Sequence, residues 1–309
     1  MSIVPAEKRS IKTSQTPHDS RIGKNETFLW NLTIDFVIIN PDKTNKQQFQ
    51  HYFNTFSSLS SSIRHYKTKN PKYNKVTKFD MDYDNTEYRV YFMRPNKSYL
   101  PKLLIKVLQP DDKLFRFLHD LFHSGYKLSF LEFTFDCYTP LLKEFYKFIK
   151  SRLYLKWPGA DFNPGYVSTT YFNNIRKSAT KGVRVYIKEV NHNRFVRIEI
   201  VYKRRLLKRM GINTIEDLFK IKTSAVTKYL RLMIFDYELF RKRCFSRRGS
   251  NGVTFRELDT IIENIDTLIE RKSIRAASEY ARNFAGCSCL KEHEQNDKFW
   301  EVINNKSFL

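Results

Sequence analysis

Residues 126–138 read Tyr-Lys-Leu-Ser-Phe-Leu-Glu-Phe-Thr-Phe-Asp-Cys-Tyr, and no other segment constrains the fold as tightly. At the period of two that an extended strand imposes, Leu131, Phe133, Phe135 and Cys137 share one face. Phe130, Glu132, Thr134 and Asp136 share the other. One face suits a hydrophobic core, and the other carries two carboxylates. Four residues apart on an extended strand, those carboxylates are separated by roughly 13 Å. A single ion reaches both only through bending or long side-chain reach. The plainer alternative is an exposed sheet face with two solvated acids.

The segments around this strand predict an α+β fold, a central antiparallel sheet with flanking helices and a mainly helical C-terminal region. Phe28 to Asn40 is rich in β-branched and aromatic residues and ends at Asn40-Pro41-Asp42, which reads as a buried strand. Gln47 to Leu59 carries Phe49, Tyr52, Phe53 and Phe56 at helical spacing. Arg64 to Lys78, rich in Lys, Asn and Tyr, reads as a loop. Short strands are expected at 88–93, 103–108, 167–172, 182–190 and 195–202. Helices are expected from Asp112 to Gly125 and from Pro140 to about Leu153, and the spacing turns helical from Leu206 to about Ser246 and again from Phe255 to Asn283. The expected organisation is a polar basic arm over 1–26, an α+β domain over 27–246 and a helical region over 253–309. Arg247-Arg248-Gly249-Ser250-Asn251-Gly252 is the candidate linker.

Charge narrows the partners. With 55 Lys and Arg against 32 Asp and Glu among 309 residues, the chain carries a formal charge of +23. Since 41% of its residues are hydrophobic and 15% aromatic, it is not a disordered basic tail. A folded surface with this excess calls for a polyanion, and direct phosphate contact is the simplest source. Lys203-Arg204-Arg205, Lys208-Arg209, Arg241-Lys242-Arg243 and Arg247-Arg248 are the densest clusters. No apolar stretch approaches the roughly 20 residues of a membrane-spanning helix, and no signal-peptide core is visible, so a cytoplasmic protein without membrane contact is expected. Four cysteines make no disulfide scaffold, and Cys287-Ser288-Cys289 lacks partners at zinc spacing.

Two further strands share the polar character of the first. Glu199 shares a strand face with Arg197 and Val201, and Tyr186 shares one with Arg184 and Lys188. Carboxylates from separate strands suit Mg²⁺ or Mn²⁺, hard cations that take oxygen ligands, and hence a site for cleaving phosphodiesters. A tyrosine hydroxyl, with an ordinary pKa near 10, needs a polarised phosphate and nearby cations to act as a nucleophile.

Four segments in order resemble a known family: Phe130-Leu131-Glu132-Phe133-Thr134-Phe135-Asp136; Thr170-Tyr171-Phe172 followed by Arg176-Lys177-Ser178; Arg184-Val185-Tyr186-Ile187-Lys188; and Arg197-Ile198-Glu199-Ile200. They look like the motifs of the plasmid rolling-circle replication initiators of the staphylococcal type, a family that includes relaxases of integrative conjugative elements. The likeness covers roughly residues 28–210. Glu132 stands where the family has Asp, and Asn173 where it has Gly. The resemblance implies that Tyr186 attacks a DNA phosphate, flanked by Arg184 and Lys188, and that Glu132, Asp136 and Glu199 hold Mg²⁺ or Mn²⁺. It further implies a 5′-phosphotyrosyl intermediate and a free 3′-hydroxyl that primes replication. Arg176, Lys177, Ser178, Arg197, Lys203, Arg204 and Arg205 are the expected DNA contacts. Origin DNA is the expected partner, with a homodimer and a host helicase as further candidates.

Other signals are weaker. His119 and His123 stand four apart on a helix dominated by packing residues, without the Glu of a metalloprotease motif. Tyr171 is a fallback nucleophile. A non-catalytic DNA-binding accessory protein and an RNA-binding module built on aromatic stacking remain as competing readings.

Overall fold

The computed structural model describes residues 28–41, 45–69, 72–95, 103–123, 125–156, 163–166, 169–173, 181–246, 254–306 and 308. The basic arm, Arg176, Lys177, Ser178 and the candidate linker lie outside them.

Leu29–Pro41 forms β1, followed by helix α1 (Lys46–Ser58) and three strands, β2 (Ser60–Lys67), β3 (Lys75–Tyr83) and β4 (Thr86–Arg94). Next come β5 (Leu104–Leu108), α2 (Asp112–Phe122) and the carboxylate strand β6 (Tyr126–Tyr138). Helix α3 (Leu142–Arg152) leads through β7 (Leu153–Leu155), β8 (Asn163–Tyr166) and β9 (Thr169–Asn173) to the hairpin of β10 (Lys181–Val190) and β11 (Asn193–Lys203). Three short helices follow, α4 (Arg204–Arg209), α5 (Ile215–Phe219) and α6 (Thr223–Thr227), then β12 (Leu230–Phe235). The remainder is α7 (Tyr237–Ser246), α8 (Phe255–Arg271), α9 (Ile274–Ala285), β13 (Leu290–Glu292) and α10 (Asn296–Asn304).

Ten strands form one antiparallel sheet in the order β2-β3-β4-β5-β1-β6-β11-β10-β9-β8. Its register sorts the two faces cleanly. One continuous row, Phe79, Val90, Val107, Val37, Leu131 and Tyr202, crosses six strands by direct pairing and is buried throughout. Helices cover this face: Phe56 of α1 meets Phe79 and Phe92 at centroid distances of 5.9 and 5.0 Å, and Phe145 of α3 meets Trp30 at 5.9 Å. Phe308 closes on Phe133 and Phe135 behind the carboxylate strand, at 4.8 and 5.3 Å. The opposite face carries Arg64, Lys78, Arg89, Tyr91 and Lys106, all exposed or half-buried.

A second apolar cluster joins Phe235, Phe240 and Cys244 to Leu258, Ile265, Ile274, Ala281 and Cys289. The segment on the N-terminal side of the candidate linker thus shares a core with α8 and α9, whereas Trp300, Ile303 and Phe308 return to the main core.

Two expectations differ from the structure. Part of the expected loop at 64–78 belongs to β2 and β3. β2 is an exposed edge strand without apolar alternation, and its backbone pairing with β3 organises it instead. The helical spacing read from Leu206 to Ser246 is broken by β12, whose Leu-Arg-Leu-Met-Ile-Phe pairs with β7 and β13. A short apolar run is ambiguous between helix and strand until its partners are known.

Candidate functional site

Strands β6, β11 and β10 lie side by side, and their register builds two polar rows. Thr134 pairs with Glu199 and Glu199 with Arg184, while Asp136 pairs with Arg197 and Arg197 with Tyr186. Glu132 stands one step along, opposite Val201. The acids are not solvated: Glu132, Asp136 and Glu199 are 2%, 3% and 1% exposed, and Arg197 is 4%. Burying so many charges is tolerable only when they satisfy one another.

The fourth acid comes from a bulge. In β1, Ile34 pairs with Phe133 and Phe36 with Glu132, so two residues oppose one and Asp35 is the extra residue. A bulge of this kind re-aims a side chain. Here it brings Asp35 together with Glu132 and Glu199, each offering a carboxylate oxygen within 4.8 Å of the others. Asp136 stands outside this group. Both its oxygens accept from Arg197, Nε to Oδ1 and Nη2 to Oδ2 at 2.6 Å each, while Arg197 Nη1 reaches Asp35 Oδ1 at 3.5 Å.

Arg184 donates from Nη2 to Glu132 Oε1 at 3.0 Å and sets its Nε against Glu199 Oε2. Tyr186 donates its hydroxyl to Glu199 Oε1 at 2.5 Å. Of the expected site residues, the structure therefore joins Tyr186, Arg184, Glu132 and Glu199 directly. Lys188 is half-buried on the same face one pair further on, opposite Phe195. Arg197, an expected DNA contact, is buried with its guanidinium turned to carboxylates. Lys203 is half-buried, and Arg204 and Arg205 are exposed just past the end of β11.

The electrostatics follow from burial. Desolvation pushes the Glu132 carboxyl up to about 7 against the pull of Arg184, and neighbouring Asp35 adds to the rise. Burial also raises Tyr186 above the ordinary phenol value, against Arg197 and Arg184. Lys188 is lowered by burial first and by Arg197 second. Four carboxyl groups face two guanidiniums, and Lys106 and Lys188 add two more positive charges within electrostatic reach. A proton on Glu132, or a divalent cation, lowers the repulsion of the carboxylates for one another. Three convergent oxygens from three strands fit Mg²⁺ or Mn²⁺, which take oxygen ligands and retain water.

Asp35 was missed in the sequence, although a signal existed. A carboxylate inside Thr-Ile-Asp-Phe-Val-Ile, an otherwise apolar strand, is costly to bury without a purpose. His119 of α2 takes no part, its Nδ1 lying 3.1 Å from the Tyr126 hydroxyl, which in turn accepts from the Ile215 backbone N–H, and His123 lies beyond the helix as its C-cap.

No protein-family model matches this chain, and no curated protein matches it in sequence.

Proposed function

We propose that this protein nicks and rejoins one strand of DNA through Tyr186, acting as a rolling-circle replication initiator of the family its motifs resemble. The observation that carries the reading is the Tyr186 hydroxyl bonded to Glu199 within a buried group of carboxylates. Glu199 is placed to take the phenolic proton as the Tyr186 oxygen bonds to phosphorus. The bond from phosphorus to the 3′-oxygen breaks, the departing oxygen takes a proton from water while Glu199 releases the one it received, and a 5′-phosphotyrosyl link and a free 3′-hydroxyl result. A divalent cation held by Asp35, Glu132 and Glu199 would supply charge stabilisation at the non-bridging phosphate oxygens. Arg184, 29% exposed on its side chain, adds a guanidinium at the mouth of the group. Attack by the 3′-hydroxyl on the phosphotyrosine reverses the step, so rejoining needs no nucleotide. A conjugative relaxase uses the same chemistry on another DNA target, and either role places the protein in the cytoplasm.

One observation favours a second reading. Arg184 already bridges Glu132 and Glu199, as it would in a DNA-binding accessory protein whose carboxylates are structural. The deciding experiment incubates the protein with Mn²⁺ or Mg²⁺ and supercoiled DNA of its own genetic element, with Tyr186→Phe alongside. Relaxed circles and a covalent protein–DNA adduct, both lost in the variant, support transesterification. DNA binding without a nick by either protein, across candidate origins, supports the accessory role.

A further inference from the structure

Beside the carboxylate group the polar face of the sheet carries a shallow, open groove of about 530 Å³. Its floor is apolar: Ile38, Leu104 and Phe130 line it, all half-buried. Four cations rim it, Lys203 directly opposite Phe130 on β11, and Arg204, Arg205 and Lys208 from α4. Among the described residues no carboxylate lines it.

An aromatic step connects the groove to the carboxylates. Phe130 stacks on Phe36 at 4.7 Å between centroids with the rings 11° apart, and Phe36 is paired directly with Glu132. Lys106 lies over the other part of this step, its Nζ 4.0 Å from the Phe36 centroid. Phe130 precedes Glu132 by two residues on one strand, roughly 7 Å along it. That is about two nucleotides at the axial rise of about 3.4 Å per nucleotide of a stacked strand.

We infer that this groove seats an unpaired base of single-stranded DNA next to the carboxylate group, the base lying on Phe130 and its phosphates meeting Lys203, Arg204, Arg205 and Lys208. The pocket gives the proposed nicking site a second contact with the same strand, and so rests on that reading for its choice of DNA. An apolar π floor inside a cationic rim matches a nucleotide, flat and apolar at one end and anionic at the other. A duplex keeps its base faces stacked and offers no such group. Holding one base out of the stack fixes the strand beside Tyr186, and positioning of that kind is worth much of a barrier in transesterification.

The test measures binding of oligo(dT) of 12 nucleotides and of a fully abasic strand of the same length, by fluorescence anisotropy in EDTA so that no nicking occurs. The expected result is about a tenfold preference of the wild type for the strand with bases, from the value of base–aromatic stacking. Phe130→Ala should bring the two affinities together. Phe130→Leu keeps the bulk of the floor without its π face, and gives the same reading if the alanine variant does not fold. Arg204→Ala with Arg205→Ala, both exposed, should weaken both strands alike and reduce the slope of log K against log salt by about 1.4. Equal wild-type affinity for the two strands, or a preference untouched by Phe130→Ala and Phe130→Leu, overturns the pocket. Nicking, assayed separately with metal, reports on the proposed function: a base preference that depends on Phe130 in a protein that never nicks leaves the pocket standing and removes only the catalysis.

Discussion

Asp136 holds Arg197 through both carboxylate oxygens, at 2.6 Å each, in a pair whose side chains are 4% and 5% exposed. The pair ties β6 to β11 at the row that also contains Tyr186. It shapes the site without joining the group of acids suited to a cation, so Asp136 and the three acids of that group should respond differently to substitution.

Asp136→Ala leaves the Arg197 guanidinium buried, with the longer contact to Asp35 in place of a two-pronged carboxylate partner. Breaking one side of a buried pair costs about 3–5 kcal/mol, read as a lowered urea midpoint. Glu216→Ala on α5, which removes an exposed pair to Lys220 just past that helix, should leave the midpoint where it is.

Cation binding should follow Asp35 rather than Asp136. Asp35→Asn, Glu132→Gln and Glu199→Gln are each expected to weaken Mn²⁺ binding at least tenfold by titration calorimetry, since losing even an outer-shell partner of a metal ligand costs about 10–100-fold. Asp136→Asn, compared on folded protein, should change it far less. Equal losses at Asp35 and Asp136 would mean that the ion sits between the two rows.

Stability should fall as pH rises from about 4.5 to about 7. The Glu132 carboxyl keeps its proton to about 7 in the fold but loses it near its ordinary 4.5 when unfolded, so the unfolded state releases it first. At about 1.4 kcal/mol per unit the penalty approaches about 3 kcal/mol above pH 7. Glu132→Gln should abolish this slope in urea titrations. Saturating Mn²⁺ should flatten it, because the cation stabilises the ionised carboxylate, and Mn²⁺ affinity should climb as pH passes 7.

Phe308→Ala should destabilise the sheet from behind. Phe308 is 8% exposed and packs on Phe133 and Phe135, whose strand neighbours Glu132, Thr134 and Asp136 point the other way. Removing its ring is expected to cost about 3 kcal/mol, seen as a lower thermal midpoint with Mn²⁺ affinity unchanged in the folded protein.

Much of the fold was legible in one dimension. The alternation over Tyr126–Tyr138, the helical spacing of Phe49, Tyr52, Phe53 and Phe56, and the β-branched run before Pro41 each became the expected element. β2 and β12 were not legible, because an edge strand needs no apolar pattern and a six-residue apolar run suits either period. Within the site, alternation alone put Tyr186 with Arg184, and Glu199 with Arg197, on shared faces. It said nothing of which strands would be neighbours.

Asp35 illustrates the limit most directly. Counted from Ile34 it belongs on the carboxylate face, and counted back from Val37 it belongs in the core. The bulge resolves the conflict by admitting one unpaired residue. Alternation, helical spacing and net charge depend on near neighbours along the chain, so strand faces, most helices and the demand for a polyanion could be read from residue order. Which acids converge, and that Asp136 would pair with Arg197 while Asp35 turned toward Glu132 and Glu199, depended on strand register between segments from 61 residues apart, at Asp136 and Arg197, to 162, at Asp35 and Arg197. That register is set by the packing of the whole sheet against its helices, a non-local sum that no window of sequence contains.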